Sequence, residues 1–157
     1  SCSKYNRRNH KGQEKTILGP ILCIDVGDKR VGLAISDPTQ TLASPFKAIS
    51  RQRSKHFIEC IVEQENIVLI LVGMPYLPSG GIGIQAQKTT KFILALNDMT
   101  TVPIQEIDER MSSIEALSLL TQSPGYKRGK KKDKGTLDSA AATVVLQRYL
   151  DTKKLKT

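Results

Sequence analysis

Three acidic positions in this sequence follow or interrupt apolar segments. Asp25 lies inside the run Ile21–Val26, Asp108 and Glu109 follow a later apolar segment, and Asp138 begins a C-terminal helical pattern. Ligands usually bind at the carboxyl edge of an α/β sheet. Carboxylates brought together there repel one another, and Mg²⁺ or Mn²⁺, which prefer hard oxygen ligands, relieve that repulsion. Two such ions can activate a water and stabilise the leaving oxygen in phosphodiester hydrolysis.

Each of these acids also has a structural explanation. Asp138 stands at a helix start, where a negative side chain stabilises the helix dipole, and Glu109 can pair with Arg110 at the surface. Asp25 is the hardest to explain structurally, because burying a lone carboxylate in an apolar strand is costly. The spacing alone is weak support for a shared site, since only the fold can bring such distant acids together.

A run of basic residues precedes Asp138, and Asp133 alone opposes it. Such runs usually form solvated loops, and we expect a flexible basic loop at about 123–135. Its position beside a candidate acid favours a functional interpretation, in which the loop contacts phosphates and gives salt-sensitive, sequence-independent affinity. The basic residues of this run are Lys127, Arg128, Lys130, Lys131, Lys132 and Lys134.

The size and charge of the chain limit the function classes. Its 157 residues suffice for one domain with a buried core. A net charge of +9 indicates a polyanionic partner, with nucleic acid the default. The longest apolar run, Ile67 to Val72, is far shorter than the roughly 20 residues of a membrane helix, so we expect no membrane association. Three widely spaced cysteines suggest neither a zinc site nor a disulfide framework, and they fit a reducing intracellular compartment.

The chain divides into a basic arm and one domain. Residues 1–19 carry five Lys or Arg against one Glu and have little apolar content, so we expect this arm to be disordered. Residues 20–157 form the domain. Such an arm fits an organellar origin, in which case we expect the protein in a plastid or mitochondrion. If the protein is bacterial, we expect it in the cytoplasm.

The elements that position the acids alternate from Ile21 onward. Apolar and β-branched runs predict strands at about 21–26, 31–36, 45–49, 67–72 and 101–107. Helical spacing predicts helices at about 51–65, 84–98, 112–121 and 136–154. Gly27 and the polar residues after it predict a hairpin turn, where glycine can adopt a positive φ at no steric cost. This order implies an α/β domain with a mixed sheet and helices on its faces.

Four groups of residues stand in the order and spacing of one family. They are Asp25-Val26-Gly27 with Lys29-Arg30-Val31-Gly32, Val72-Gly73-Met74-Pro75, Asp108-Glu109-Arg110-Met111-Ser112-Ser113, and Lys130 to Lys132 before Asp138. With these motifs the chain resembles the YqgF/RuvX family, the Holliday-junction-resolvase-like proteins also described as pre-16S rRNA nucleases. The resemblance covers about residues 20–151. Each motif alone is weak, but four in order are specific.

The resemblance implies a ribonuclease H-like fold, in which a five-stranded mixed sheet has three antiparallel strands followed by two parallel ones. It implies that Mg²⁺ or Mn²⁺ binds at a catalytic site formed by the acids, namely Asp25, Asp108, Glu109 and Asp138. The sequence leaves open which of Asp108 and Glu109 points into the site. Charge and proximity to the acids in such a fold make three further residues candidate phosphate contacts, namely Lys29, Arg30 and Arg110.

One residue of the first motif departs from the family. Asp28 stands where a small polar residue is more usual. The extra carboxylate either joins the metal site or caps the turn, and the sequence does not decide between these roles.

The leading functional hypothesis is a metal-dependent endonuclease acting on structured nucleic acid, most simply at the 5′ end of pre-16S rRNA. A branched DNA junction is the other candidate substrate, and it would favour a homodimer because two symmetric cuts need two sites related by a two-fold axis. The alternative hypothesis is a non-catalytic rRNA-maturation factor that binds through the same basic surface. An ATP-binding domain of the actin and sugar-kinase type is disfavoured, because this chain has no room for the second domain such a site needs.

Overall fold

The computed structural model describes residues 17–108 and 134–155, with the side chains of 139–153 in the second range. Five strands and three helices lie in these ranges. In chain order they are β1 (Ile21–Val26), β2 (Arg30–Ser36), β3 (Ala43–Ser50), α1 (Arg51–Gln64), β4 (Leu69–Met74), α2 (Ile84–Asn97), β5 (Ile104–Asp108) and α3 (Lys134–Leu155). The helix expected at 112–121, most of the basic loop and residues 1–16 of the arm lie outside the described residues.

The strands form one mixed sheet in the order β3-β2-β1-β4-β5. β1, β2 and β3 pair antiparallel, and β4 and β5 are added parallel to β1. The predicted architecture of three antiparallel strands and two parallel ones is therefore confirmed. β1, β4 and β5 all end at the same edge of the sheet, which we call the carboxyl edge, and β2 begins there.

Helices cover both faces of the sheet. Leu22 and Ile24 of β1 pack with α1 and α2 through side chains such as Ile58 and Phe92. Ile21 of β1 packs on the other face, together with α3 side chains that include Ala142, Val145 and Leu146. We call these the α1/α2 face and the α3 face. The central strands are covered on both sides, which explains their nearly continuous apolar sequence.

Two strands begin later than their apolar runs predict. The Ile67 N–H bonds to the Val62 carbonyl at 3.1 Å and closes the turn after α1, so β4 begins at Leu69. β4 then continues to Met74, because its pairing with β5 persists beyond the predicted end at 72. β5 begins at Ile104 instead of about 101. The Val102 N–H donates to the Thr100 hydroxyl at 3.2 Å instead of to a neighbouring strand, and Pro103 has no N–H that could form a hydrogen bond in the sheet.

Candidate active site

Asp25 is the next-to-last residue of β1, close to the carboxyl edge. Alternate residues of a strand share a face, and Ile21 and Cys23 both pack in the cluster that includes α3. Asp25 therefore belongs to the α3 face, and it is half-buried there. Its partner across the β1–β2 ladder is Gly32, which contributes no side chain beside the carboxylate.

The turn between β1 and β2 closes tightly. The Gly27 N–H donates to the Arg30 carbonyl at 2.9 Å. A Cβ at residue 27 would lie 2.7 Å from that same oxygen, a distance that real Cβ atoms essentially never show. Gly27 does not adopt the positive φ that is open to glycine, since Gly19 and Gly80 are the glycines with positive φ in the described residues. Gly27 is needed because the backbone approaches closely.

Asp28 is bonded to α2. Its carboxylate accepts hydrogen bonds from Gln85 Nε2 at 3.0 Å to each oxygen, and it pairs with Lys88 Nζ at 3.1 Å. The Gln85 hydrogen bond, followed by the Lys88 hydrogen bond and charge, lowers the pKa of Asp28 below its ordinary value. Both partners lie about sixty residues away in sequence. The role of Asp28 is therefore to tie the hairpin turn to α2, which is neither of the two roles expected from the sequence.

Asp108 ends β5 at the carboxyl edge, where it pairs with Met74 of β4 and is exposed. Ile104 packs toward the α1/α2 face and Ile107 toward the α3 face. By strand alternation Asp108 shares the side of Ile104, which is opposite to the side of Asp25.

The beginning of α3 approaches the same edge. The Ser139 hydroxyl donates to the Leu33 carbonyl of β2 at 3.0 Å in a buried contact. Further along the helix, Gln147 Oε1 accepts from the Ala43 N–H at 2.9 Å, at the opposite edge of the sheet. α3 therefore runs away from the carboxyl edge, and Asp138, one residue before Ser139, lies toward that edge on the α3 face. The side chain of Asp138 is not among those described.

The remaining predicted site residues divide into two groups. Lys29, in the β1–β2 turn, and Arg30, the first residue of β2, are exposed at the carboxyl edge. The others lie outside the described residues, namely Glu109, Arg110, Lys127, Arg128, Lys130, Lys131 and Lys132.

Within the described residues, no three His, Cys, Asp or Glu side chains are grouped closely enough to hold a metal ion. Of the predicted ligands, that finding covers Asp25 and Asp108 alone, because Glu109 and the Asp138 side chain are not described. Three backbone segments on which the predicted acids occur meet at one edge of the sheet. They are the end of β1, the end of β5 and the beginning of α3.

A second group of charged residues escaped the sequence analysis. The β1–β2 turn, the start of α1 and one side of α2 enclose an open groove of about 570 Å³. Its lining includes Arg51, Lys55 and Lys91, in addition to the predicted Lys29. A signal was present in the sequence, because the segment that opens α1 carries cations and no acid in its first turn, against the usual preference at a helix N-terminus.

None of the helices in the described part of the chain is long and apolar enough to cross a lipid bilayer.

The chain is similar to proteins of one known family. A family model described as RuvX, Holliday junction resolvase, matches residues 19–152. A Crocosphaera subtropica protein named "Putative pre-16S rRNA nuclease" is 38% identical over 136 residues, which cover 85% of this chain and 93% of that protein. A protein of the same name from Thermoanaerobacter pseudethanolicus is 36% identical over 139 residues, or 87% of this chain and 99% of its own length.

A solved structure has the same fold. Thermus thermophilus RuvC, in a structure described as a complex with Holliday junction substrate, superposes with a TM-score of 0.54 over 87% of this chain and 96% of its own. The identity is 13%, so this likeness concerns the fold alone. A second structure of the same protein gives a TM-score of 0.52 at 10% identity, over 86% of this chain and 96% of that one.

Proposed function

The chain belongs to the RuvX family of Holliday junction resolvases, and from this membership we propose that it is a metal-dependent endonuclease that hydrolyses phosphodiester bonds in structured nucleic acid. The substrate we favour is the 5′ end of pre-16S rRNA, because the two relatives described above are named as nucleases of that RNA. A branched DNA junction is the second substrate, and cleavage of it would involve a homodimer. The reaction takes place inside the cell.

The observation that carries the proposal is the position of Asp25. Asp25 is a carboxylate near the carboxyl end of a central strand, and it is half-buried on the face covered by α3. β5 ends and α3 begins at the same edge, so we expect the other candidate acids to lie near Asp25. Clustered carboxylates with hard oxygen donors are the ligand set that Mg²⁺ and Mn²⁺ select.

We assign the metal ligands as Asp25, Glu109 and Asp138. Strand alternation puts Asp108 on the α1/α2 face, so the next residue of an extended chain, Glu109, is the one expected on the face of Asp25. The carboxylates would hold the cations and orient them toward the scissile phosphate. When bound, such ions lower the pKa of a coordinated water and stabilise the leaving oxygen of the phosphodiester.

Basic residues supply the contacts that hold the nucleic acid. Lys29, in the turn that follows Asp25, and Arg30, the first residue of β2, are both exposed at the carboxyl edge of the sheet, where we propose the metal site. We extend this role to Arg110 and to the basic loop residues Lys127, Arg128, Lys130, Lys131 and Lys132. Phosphate contacts of this kind position the substrate without reading its sequence.

The test compares two variants that each neutralise one carboxylate. Asp25→Asn should lower the cleavage rate in Mg²⁺ or Mn²⁺ by about 100-fold, equivalent to about 3 kcal/mol of transition-state stabilisation. Asp98→Asn, at the other end of α2 from the carboxyl edge, should cleave at the wild-type rate. The substrates are a pre-16S rRNA fragment and a four-way DNA junction, assayed in parallel.

Two outcomes would contradict the proposal. The first is that the wild-type protein cleaves neither substrate, and the second is that Asp25→Asn cleaves as fast as wild type. If, in addition, Asp25→Asn restored rRNA maturation in cells lacking the protein, the alternative of a non-catalytic maturation factor would be supported.

A further inference from the structure

The groove on the α1/α2 side of the carboxyl edge is a basic surface formed by several elements of the fold. Three elements that are distant in sequence form it: the β1–β2 turn, the start of α1 and the exposed side of α2. The Arg51 N–H donates a hydrogen bond to the Lys29 carbonyl at 3.0 Å. This hydrogen bond fixes the position of the β1–β2 turn relative to the start of α1. The cations that line the groove are Lys29, Arg51, Lys55 and Lys91.

The charges of α1 oppose the preference of an isolated helix. Its basic residues cluster at the beginning and its acidic residues at the end, and the first turn contains no acid. Because the N-terminus of a helix already carries partial positive charge, cations there repel it and cost stability. The arrangement becomes favourable when an anion occupies the groove. The residues concerned are Arg51, Arg53 and Lys55 at the start, and Glu59 and Glu63 near the end.

Among the described lining residues, Asp28 is the one acid, and residues of α2 already bind it. Asp28 is bonded to Gln85 at 3.0 Å and to Lys88 at 3.1 Å. Its negative charge is thus directed toward α2 and offset by Lys88. The groove as a whole is left strongly positive, which complements a phosphodiester backbone.

Among the described residues, the lining of the groove has no exposed aromatic ring, which single-stranded nucleic acid usually needs. Single strands are commonly held by exposed aromatic rings on which the bases stack. The one ring among the lining residues, Phe92, is only 3% exposed, and Lys55 Nζ lies 6.0 Å from its centroid. The described lining therefore provides positive charges that can bind phosphates, but it has no exposed ring on which a base can stack. A double-stranded segment, which presents phosphates and hides its bases, fits this chemistry.

The groove and Asp25 lie on opposite faces of the sheet, and the β1–β2 turn joins them around the carboxyl edge. A nucleic acid that crosses this edge presents one segment to Asp25 and another to the groove. We propose that the groove binds the sugar–phosphate backbone of a double-stranded arm next to the cleavage site. This proposal rests on the proposed function, because it assigns a second contact region to the same substrate.

Binding is measured in EDTA, so that no cleavage occurs, by fluorescence anisotropy over a series of salt concentrations. The probes are a labelled RNA with a stem beside a single-stranded extension, and the extension alone. Lys55→Gln/Lys91→Gln should reduce the slope of log affinity against log salt by about 1.8 on the stem-bearing probe, since each lost phosphate contact contributes about 0.9. Affinity for the single strand alone should stay at the wild-type value.

The matched control is Arg148→Gln/Lys153→Gln, which removes two positive charges from the C-terminal part of α3, near the opposite edge of the sheet, where Gln147 contacts Ala43. It should leave the slope unchanged on both probes. Lys91→Glu provides a second variant that avoids the Lys55 contact with Phe92, and it should weaken stem binding more than Lys91→Gln does. An unchanged slope in Lys55→Gln/Lys91→Gln, or equal losses on the stem and on the single strand, would overturn the proposal.

Failure of this inference can be told apart from failure of the proposed function. The groove is tested by binding without metal, whereas the nuclease is tested by cleavage with metal. If Asp25→Asn cleaves normally but the groove variants lose stem binding, the nuclease proposal fails alone. If cleavage depends on Asp25 while the groove variants bind the stem as wild type does, the groove proposal fails alone.

Discussion

Asp28 accepts hydrogen bonds from Gln85 Nε2 at 3.0 Å to both of its carboxylate oxygens, across a sequence separation of 57 residues. Lys88, one turn further along α2, adds an ion pair at 3.1 Å. These contacts fix the turn that follows Asp25 against the helix that forms one wall of the basic groove. The hairpin turn therefore connects the proposed metal site with the proposed duplex-binding surface.

Neutralising Asp28 should strengthen nucleic-acid binding. Asp28→Asn removes the one negative charge in the described lining of the groove and releases Lys88 toward the phosphates. Exposed charges interact weakly in water and are screened by salt, so we expect affinity for the stem-bearing RNA to rise by about threefold at low salt. Anisotropy titrations measure this change, and Asp98→Asn controls for the loss of one negative charge elsewhere. Weaker binding by Asp28→Asn would show that the turn geometry matters more than its charge.

The two acids at the end of β5 should have unequal importance. Because alternation assigns Asp108 to the face opposite Asp25, Glu109→Gln should lower the cleavage rate by about 100-fold, while Asp108→Asn should lower it by less than about tenfold. Single-turnover cleavage in Mg²⁺ measures both rates, and calorimetric Mn²⁺ titration measures metal affinity directly. A larger loss in Asp108→Asn would mean that the chain changes its alternation at the strand end.

Ser139 should contribute measurably to the docking of α3. Its buried hydroxyl donates to the Leu33 carbonyl at 3.0 Å, so Ser139→Ala should lower the free energy of unfolding by about 1 kcal/mol. Urea denaturation measures the change. Ser50→Ala is the matched control, because the exposed N-cap Ser50 makes no side-chain capping hydrogen bond to α1. Equal stability of wild type and Ser139→Ala would contradict this role.

Asp37 should make the stability of the fold depend on acid pH. Hydrogen bonds from the Leu42 N–H, the Thr39 hydroxyl and the Thr41 N–H lower the pKa of Asp37 from 3.8 to about 2. A depressed folded-state pKa stabilises the native state above the unfolded value, and this contribution is lost as pH falls from 3.8 toward 2. The Tm of wild type should therefore exceed that of Asp37→Asn at neutral pH, and the gap should close at low pH.

Thermal unfolding followed by circular dichroism across that pH range tests the prediction. Asp98→Asn, measured in parallel, controls for the loss of one carboxylate elsewhere in the chain. A gap between wild type and Asp37→Asn that persists to the lowest pH would argue against a role for the Asp37 carboxylate charge.

The sequence by itself determined the order of the elements and the place of Asp25. The β-branched runs and the helical spacing are local patterns, and they predicted the five strands and the three described helices to within a few residues. The motif order predicted the mixed sheet. Where the boundaries moved, local hydrogen bonding decided them, as with the Thr100 hydroxyl and Pro103 before β5.

The tertiary structure decided how distant residues meet. Asp28 and Gln85 contact one another because α2 packs against the face of the sheet beside the β1–β2 turn, which no local pattern encodes. The groove likewise depends on three separate elements and could not be located from charge counts. The side of the sheet that Asp108 occupies follows from which face each β5 residue buries, and that is fixed only when the helices cover the sheet. The sequence shows that the side chains of a strand alternate between the two faces of the sheet. Only the packing of the helices decides which face each side chain meets.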